Sequence, residues 1–179
     1  LVCVPSGSTQ VERRAIRESA LGAGASSVFL IEEPMAAAIG IGLPVMQPIG
    51  AMVVDIGGGT TDIAIISLGG IVKAKNLKVA GDRLNEDIIN FMKNDHQLLI
   101  GEKTAEQLKI TIGSALPREQ SLQMVVRGRD VITGLPKEII VIDADVQTAM
   151  ATSIDILVEA IKEVLEATPP EILSDVMQR

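Results

Sequence analysis

The chain is nearly free of aromatic side chains. Its 179 residues include two phenylalanines and neither tryptophan nor tyrosine, so the core has to be aliphatic. Cysteine occurs once, at Cys3, which rules out a disulfide within the chain. Cys3 lies in an apolar run and reads as a buried thiol, as expected in a reducing cytoplasm. The single histidine, His96, falls in the polar stretch Lys93–Gln97 at a predicted helix end and reads as a surface group. With no His/Cys cluster, a zinc or iron site has no support. Ser6, Ser8 and Ser19 have no histidine at a recognisable spacing, so a serine hydrolase has none either. Basic clusters are absent, and 16 Lys and Arg against 23 Asp and Glu leave a net charge of −7, which argues against nucleic acid as the partner. There is no apolar run of membrane-spanning length and no signal peptide. The chain also lacks an initiator Met, begins within a predicted strand, and stops just after a helix and a Pro-Pro break. It reads as a piece of something longer.

What the chain does have is aliphatic: 47% of it is hydrophobic, enough for one good core or two small lobes. The stretch Met52–Ser67, MVVDIGGGTTDIAIIS, organises the rest. Two apolar, mostly β-branched runs flank Gly57, Gly58, Gly59, Thr60 and Thr61, with Asp55 before the turn and Asp62 after it. The pattern predicts a hairpin. Consecutive glycines carry no Cβ, so their N–H groups can approach an anion closely and take positive φ. Thr60 and Thr61 add hydroxyls at the same tip. Asp55 closes a strand that reads as buried, and a hydrated divalent cation would account for a carboxylate there. No GK[ST] follows, so this is not a Walker loop, and no helix opens on the glycines, so it is not a dinucleotide fingerprint. A plain tight hairpin would need fewer glycines and no flanking acids.

Taken in order, the chain predicts strand Val2–Val4, a helix to Leu21 opened by a Thr9/Glu12 capping box, strand Val28–Ile31 and helix Pro34–Gly40. The central hairpin and a strand over Ile71–Val79 follow. This order implies an α/β layer structure with a mixed sheet. Next come a helix opening at Gly81-Asp82, a helix capped by Thr104 with Gln107, and strands Leu122–Arg127 and Ile139–Ile142. The last helix starts near Asp143 or Asp145 with a stripe of Met150, Ile154, Leu157, Val158, Ile161 and Leu165. Residues 1–79 with 144–179 are therefore expected as one sheet-and-helix subdomain, and 80–143 as an inserted α+β subdomain.

DIGGGTTD after a Val-Val strand resembles the second phosphate loop of the actin-like ATPase superfamily. LIEEPMAAAIG, VCVPSGSTQVERRAIRESALGAGA, VAGDRLNEDIINF and RGRDVITGLPKEI resemble the MreB family of bacterial actins, over nearly the whole chain. The resemblance implies half of a ribonuclease H-like, actin-like fold, with subdomains of the IIA and IIB type. It also implies ATP and Mg²⁺ as cofactors, and hydrolysis in the full-length protein but not in this segment alone. Self-assembly into filaments that set rod shape is implied, with cell-shape and wall-synthesis proteins at the membrane as partners of a cytoplasmic protein. A chaperone-type ATPase, a sugar kinase of the same superfamily and a non-catalytic assembly module are the alternatives.

In that family pattern Glu33 is the water-orienting or general-base carboxylate, while Glu32 is structural; from the residues alone, both acids would only complement a helix dipole. Gly57–Thr61 would bind phosphates, and Asp55 would hold Mg²⁺ through water. Asp62 shares a strand face with Ala64 on the less apolar side of the strand, and either a structural or a nucleotide role fits it. Relatives often carry Glu at that position. Gly81 and Asp82 would lie beside the nucleoside, with Glu86 and Lys109 as ribose and adenine neighbours; a solvated lysine is the equal alternative at Lys109. Many relatives place an acid two residues after that lysine, where this chain has Thr111.

Overall fold

A computed structural model of the chain describes residues 1–177. It divides into two compact units, Leu1–Lys78 with the segment from Glu159 onward, and Val79–Val158. The expected lobe boundary falls before the last helix; the compact units divide inside that helix.

The first unit opens with β1 (Val2–Val4), α1 (Gln10–Gly22) and β2 (Leu30–Glu32). β1 and β2 pair in parallel, Val4 opposite Glu32. The α1 start follows its sequence signal: Thr9 accepts from the Glu12 amide at 3.3 Å, and Glu12 accepts from the Thr9 amide at 2.7 Å. α2 (Glu33–Gly40) begins where β2 ends, with Pro34 in its first turn, a position whose missing N–H has no intrahelical partner to lose. β3 (Ala51–Ile56), β4 (Thr61–Ser67) and β5 (Gly70–Leu77) form an antiparallel sheet in the order β3-β4-β5. Parallel and antiparallel pairing thus occupy separate sheets within the α/β architecture.

β4 is the buried strand. Ala64 and Ile66 face Ala38, Val45 and Val53, whereas Ile63 and Ile65 face Ala160 and Val164. Fully burying a side chain such as Ile63 contributes roughly 1.5–3 kcal/mol. Both faces of β4 are therefore apolar, and Asp62 is not on a more polar side as its alternation implied: it is 2% exposed. Cys3 is a second correction. It is exposed, because strand alternation turns Val4 into the core and leaves Cys3 on the uncovered face of a two-stranded sheet.

The second unit contains α3 (Gly81–Asn94), β6 (Leu98–Leu99), α4 (Glu102–Ile112), β7 (Gln123–Asp130), β8 (Pro136–Ile142) and the first part of α5 (Asp143–Glu166). The helical spacing of α3 and α4 brings Ile88, Met92, Ala105, Leu108 and Ile112 onto Leu98, Val126 and Val141. Val146 and Met150 of α5 complete this core, which is why the unit extends into that helix. Of the expected α5 stripe, Val158 is exposed; Ala160 and Val164 are buried instead.

α4 starts earlier than Thr104 implied. Gly101 is its N-cap in an extended conformation, and Glu102 stands in the first turn. His96 is half-buried, edge-on to Phe91 and 3.6 Å from Asp145, rather than a free surface group. α6 (Pro170–Val176) follows the Pro-Pro break and packs on the start of β3. Gly50 permits that approach, since a Cβ there would lie 2.6 Å from Ile172, and its amide donates to Asp175 at 3.0 Å.

Candidate functional site

In the first unit the β3–β4 register pairs Asp55 with Asp62 and Ile56 with Thr61, and the Gly57 amide donates to the Thr60 carbonyl at 2.9 Å. The chain turns tightly, and Gly57 through Thr60 are all exposed. Positive φ is not what this turn needs: the left-handed glycines are Gly24, Gly42, Gly69 and Gly134. A Cβ on Gly59 would meet nothing within 4 Å, and one on Gly57 would touch only the Thr60 carbonyl at 3.2 Å. Nothing within the chain requires glycine at Gly59, and the space a side chain would fill is open to a ligand. That observation fits a phosphate cradle.

The two acids at the β2–α2 junction have separate fates. Glu32 is held by Arg13 at 2.6 Å, whereas among the described residues the Glu33 carboxylate has no hydrogen-bonding or ion-pair partner. Burial, with the charges of Asp62 and then Asp55, pushes the Glu33 carboxyl above the usual carboxylate range. Asp55 is exposed rather than enclosed in its strand: the second half of β3, Val54 to Ile56, is exposed on both faces. No group of three His, Cys, Asp or Glu side chains among the described residues is close enough to hold a metal ion. An exposed carboxylate next to an open glycine turn fits Mg²⁺ that keeps most of its water. Thr60 is exposed, and Thr61 is fully buried at the start of β4. Asp62 accepts from Ser6 at 3.0 Å and from Asn76 at 2.7 Å.

In the second unit, Gly81 opens α3 after Ala80, which supplies no side-chain cap. Lys109 reaches from α4 to the Gly81 carbonyl at 3.0 Å and to Glu106 at 2.7 Å, so it is not a solvated lysine. Glu106 also accepts from Asn85 at 2.6 Å, and its two donors, Lys109 foremost, hold its carboxyl below the usual range. A cleft of about 550 Å³ is lined by Asp82, Asn85, Glu102, Lys103, Glu106 and Gln107. Glu86 is exposed and paired with Arg83 at 3.3 Å, outside that lining; Thr111 is exposed. Asn85 and Glu106 escaped the sequence pattern. The available signals were an amide inside an apolar helical stripe and an acid three residues before Lys109.

The family model described as MreB/Mbl protein matches residues 1–179. The chain belongs to the MreB/Mbl family. Its curated relatives include the cell shape-determining protein MreB of Escherichia coli strain K12, 52% identical across the whole of this chain and 52% of that protein. They also include the cell shape-determining protein Mbl of Bacillus subtilis strain 168, 47% identical, with 54% of it covered. MreB5 of Spiroplasma citri bound to AMPPNP superposes with a TM-score of 0.94 at 38% identity, over 99% of this chain and 54% of that one. The actin-like fold extends to the MamK double helical filament at TM-score 0.77 and 22% identity, over 99% of this chain and 53% of that one. The MreB/Mbl chain described here thus spans about half the length of the relatives it matches.

Proposed function

We propose that this chain supplies part of the Mg·ATP site of an actin-like cytoskeletal ATPase that polymerises into filaments setting rod cell shape. The observation that carries this is the Gly57–Thr60 turn, open at Gly59, in the same unit as the unpartnered Glu33 and the exposed Asp55. Spiroplasma MreB5 has been solved with AMPPNP and with ADP, which supports a nucleotide here. Gly57, Gly58, Gly59 and Thr60 bind phosphate, whereas Thr61, expected there as well, is fully buried at the start of β4 and takes no part. Asp55 holds the hydrated Mg²⁺, which neutralises phosphate charge when bound. Glu33 orients the water that attacks the terminal phosphate, and Gly81, Asp82, Glu86 and Lys109 serve the nucleoside. Phosphoryl transfer to water depends on positioning and charge neutralisation more than on covalent chemistry, and these side chains offer both.

The two compact units correspond, on this proposal, to a sheet-and-helix subdomain and an inserted α+β subdomain. Among the described residues no helix is long and apolar enough to cross a membrane. Membrane association and contact with cell-shape and wall-synthesis proteins then run through surfaces of a cytoplasmic filament.

Light scattering and phosphate release by the full-length protein test the proposal. Mg·ATP should raise scattering, and Glu33→Gln should slow phosphate release while leaving nucleotide affinity close to the parent value. ATP binding without any rise in scattering would favour a chaperone-type or kinase role, and no nucleotide binding at all would sink both.

A further inference from the structure

The sheet of the second unit leaves part of β7 without a neighbour. Asp130 donates to the Leu135 carbonyl and Leu122 accepts from Asp143, so the even-numbered positions between them bond to β8. The odd-numbered positions point the other way. On that side Val131 donates to Gln97 at 2.9 Å and Arg129 lies opposite Leu99, where β6 stops after two residues. The next outward positions, Arg127 and Val125, meet no strand among the described residues. Their backbone borders a groove of about 380 Å³ between β7 and α4. Thr104 and Gln107 wall it on the helix, and Met124 to Arg127 wall it on the strand. The opposite edge of the sheet, on β8, is blunted at both ends: Pro136 has no N–H, and the Ile142 amide donates to Asp145 at 3.2 Å. A segment added along β7 would instead continue a ladder that β6 has already begun.

Charge distinguishes the same stretch. The chain carries a net −7, yet Arg127 and Arg129 stand together on the outer face of β7, with Val126 buried on the inner one. Arg127 pairs with Glu138 but stays 83% exposed. Arg129 lies opposite Pro136 and has no ion-pair partner among the described residues.

We propose that the groove between α4 and β7 takes an extended acidic segment of a partner protein, added to the sheet as a strand in line with β6. Main-chain bonds to Val125 and Arg127 hold the segment. Its alternate side chains face opposite ways: apolar ones pack on Met124 and the Thr104–Gln107 wall, and acidic ones lie beside Arg127 and Arg129. This assignment is independent of the nucleotide site.

Fluorescence anisotropy with the full-length protein tests it, using a short labelled peptide of alternating valine and glutamate as the probe. The peptide should bind, and its valine–lysine counterpart should bind about tenfold more weakly. N-methylation of the valine nitrogens and of the glutamate nitrogens should differ, one abolishing binding and the other leaving it, because only alternate N–H groups face β7. Thr104→Phe fills the groove from the helix, and Val125→Pro removes one outward N–H; each should weaken binding about tenfold. If Val125→Pro fails to fold, Thr104→Phe decides, since Thr104 lies outside the sheet. Absence of peptide binding, equal binding of the lysine peptide, equal effects of the two methylations, or undiminished binding to Thr104→Phe overturns the proposal. Self-association of the nucleotide-free protein that Thr104→Phe abolishes would give the groove to a second copy and overturn it as well.

Discussion

The ammonium of Lys109 donates to the carbonyl of Gly81 at 3.0 Å, fastening the last turn of α4 to the first residue of α3. The same amine holds Glu106, which in turn holds Asn85, so one lysine fixes the geometry of three residues. The Glu106 side of this network is screened by water, so the bond to the Gly81 carbonyl is the firmer of the two anchors. Lys109→Met in the full-length protein should lower the melting temperature by a few degrees and weaken nucleotide affinity. Thermal unfolding and titration with a fluorescent ATP analogue provide the check; unchanged affinity would confine Lys109 to bracing α3 on α4.

Gly59 allows a cleaner separation of fold from binding. Its backbone is not left-handed and a Cβ there has open space, so Gly59→Val should leave the fold intact, with stability altered by about 0.5 kcal/mol or less. Nucleotide affinity should fall at least tenfold, because the new side chain occupies the space proposed for phosphate. Equal affinity in parent and variant would reduce the glycine turn to a connector.

The β7–β8 turn yields a pH-dependent prediction. Asp130 accepts from the Thr133 amide at 2.8 Å and the Ile132 amide at 3.0 Å, and Lys137 lies at 3.1 Å. These partners, the Thr133 amide first, hold its carboxyl down at about 2. A carboxyl depressed in the folded state adds stability above its unfolded value, about 3.9, and loses it as pH falls toward 2. Asp130→Ala should therefore be less stable than the parent at neutral pH, with the difference shrinking across that acid window. Urea midpoints at pH 7 and pH 2.5 measure it, and a constant difference would show that the turn gains nothing from the charge.

Local signals in the sequence carried most of the element order. The Thr9/Glu12 box placed α1, Pro34 placed α2, and the glycine run with its β-branched flanks placed the β3–β4 hairpin, since each depends on neighbours within a few residues. The two-residue β6 has no local signal because its pairing with β7 is long-range, and the seven residues of α6 after the Pro-Pro break are too few for a periodic pattern. The candidate site was legible as a set of residue types around Met52–Ser67, but their environments were not.

By itself the sequence determined an aliphatic α/β chain with a glycine-turn hairpin, because composition and short-range patterns suffice for that. Which carboxylate is exposed and which is buried was decided only by tertiary structure. Asp55 and Asp62 flank the same turn, yet Ser6 and Asn76 come from elsewhere in the chain to clasp the buried Asp62, while Asp55 stays open. Burial is a property of what packs against a residue, and no pattern within a strand specifies its distant neighbours.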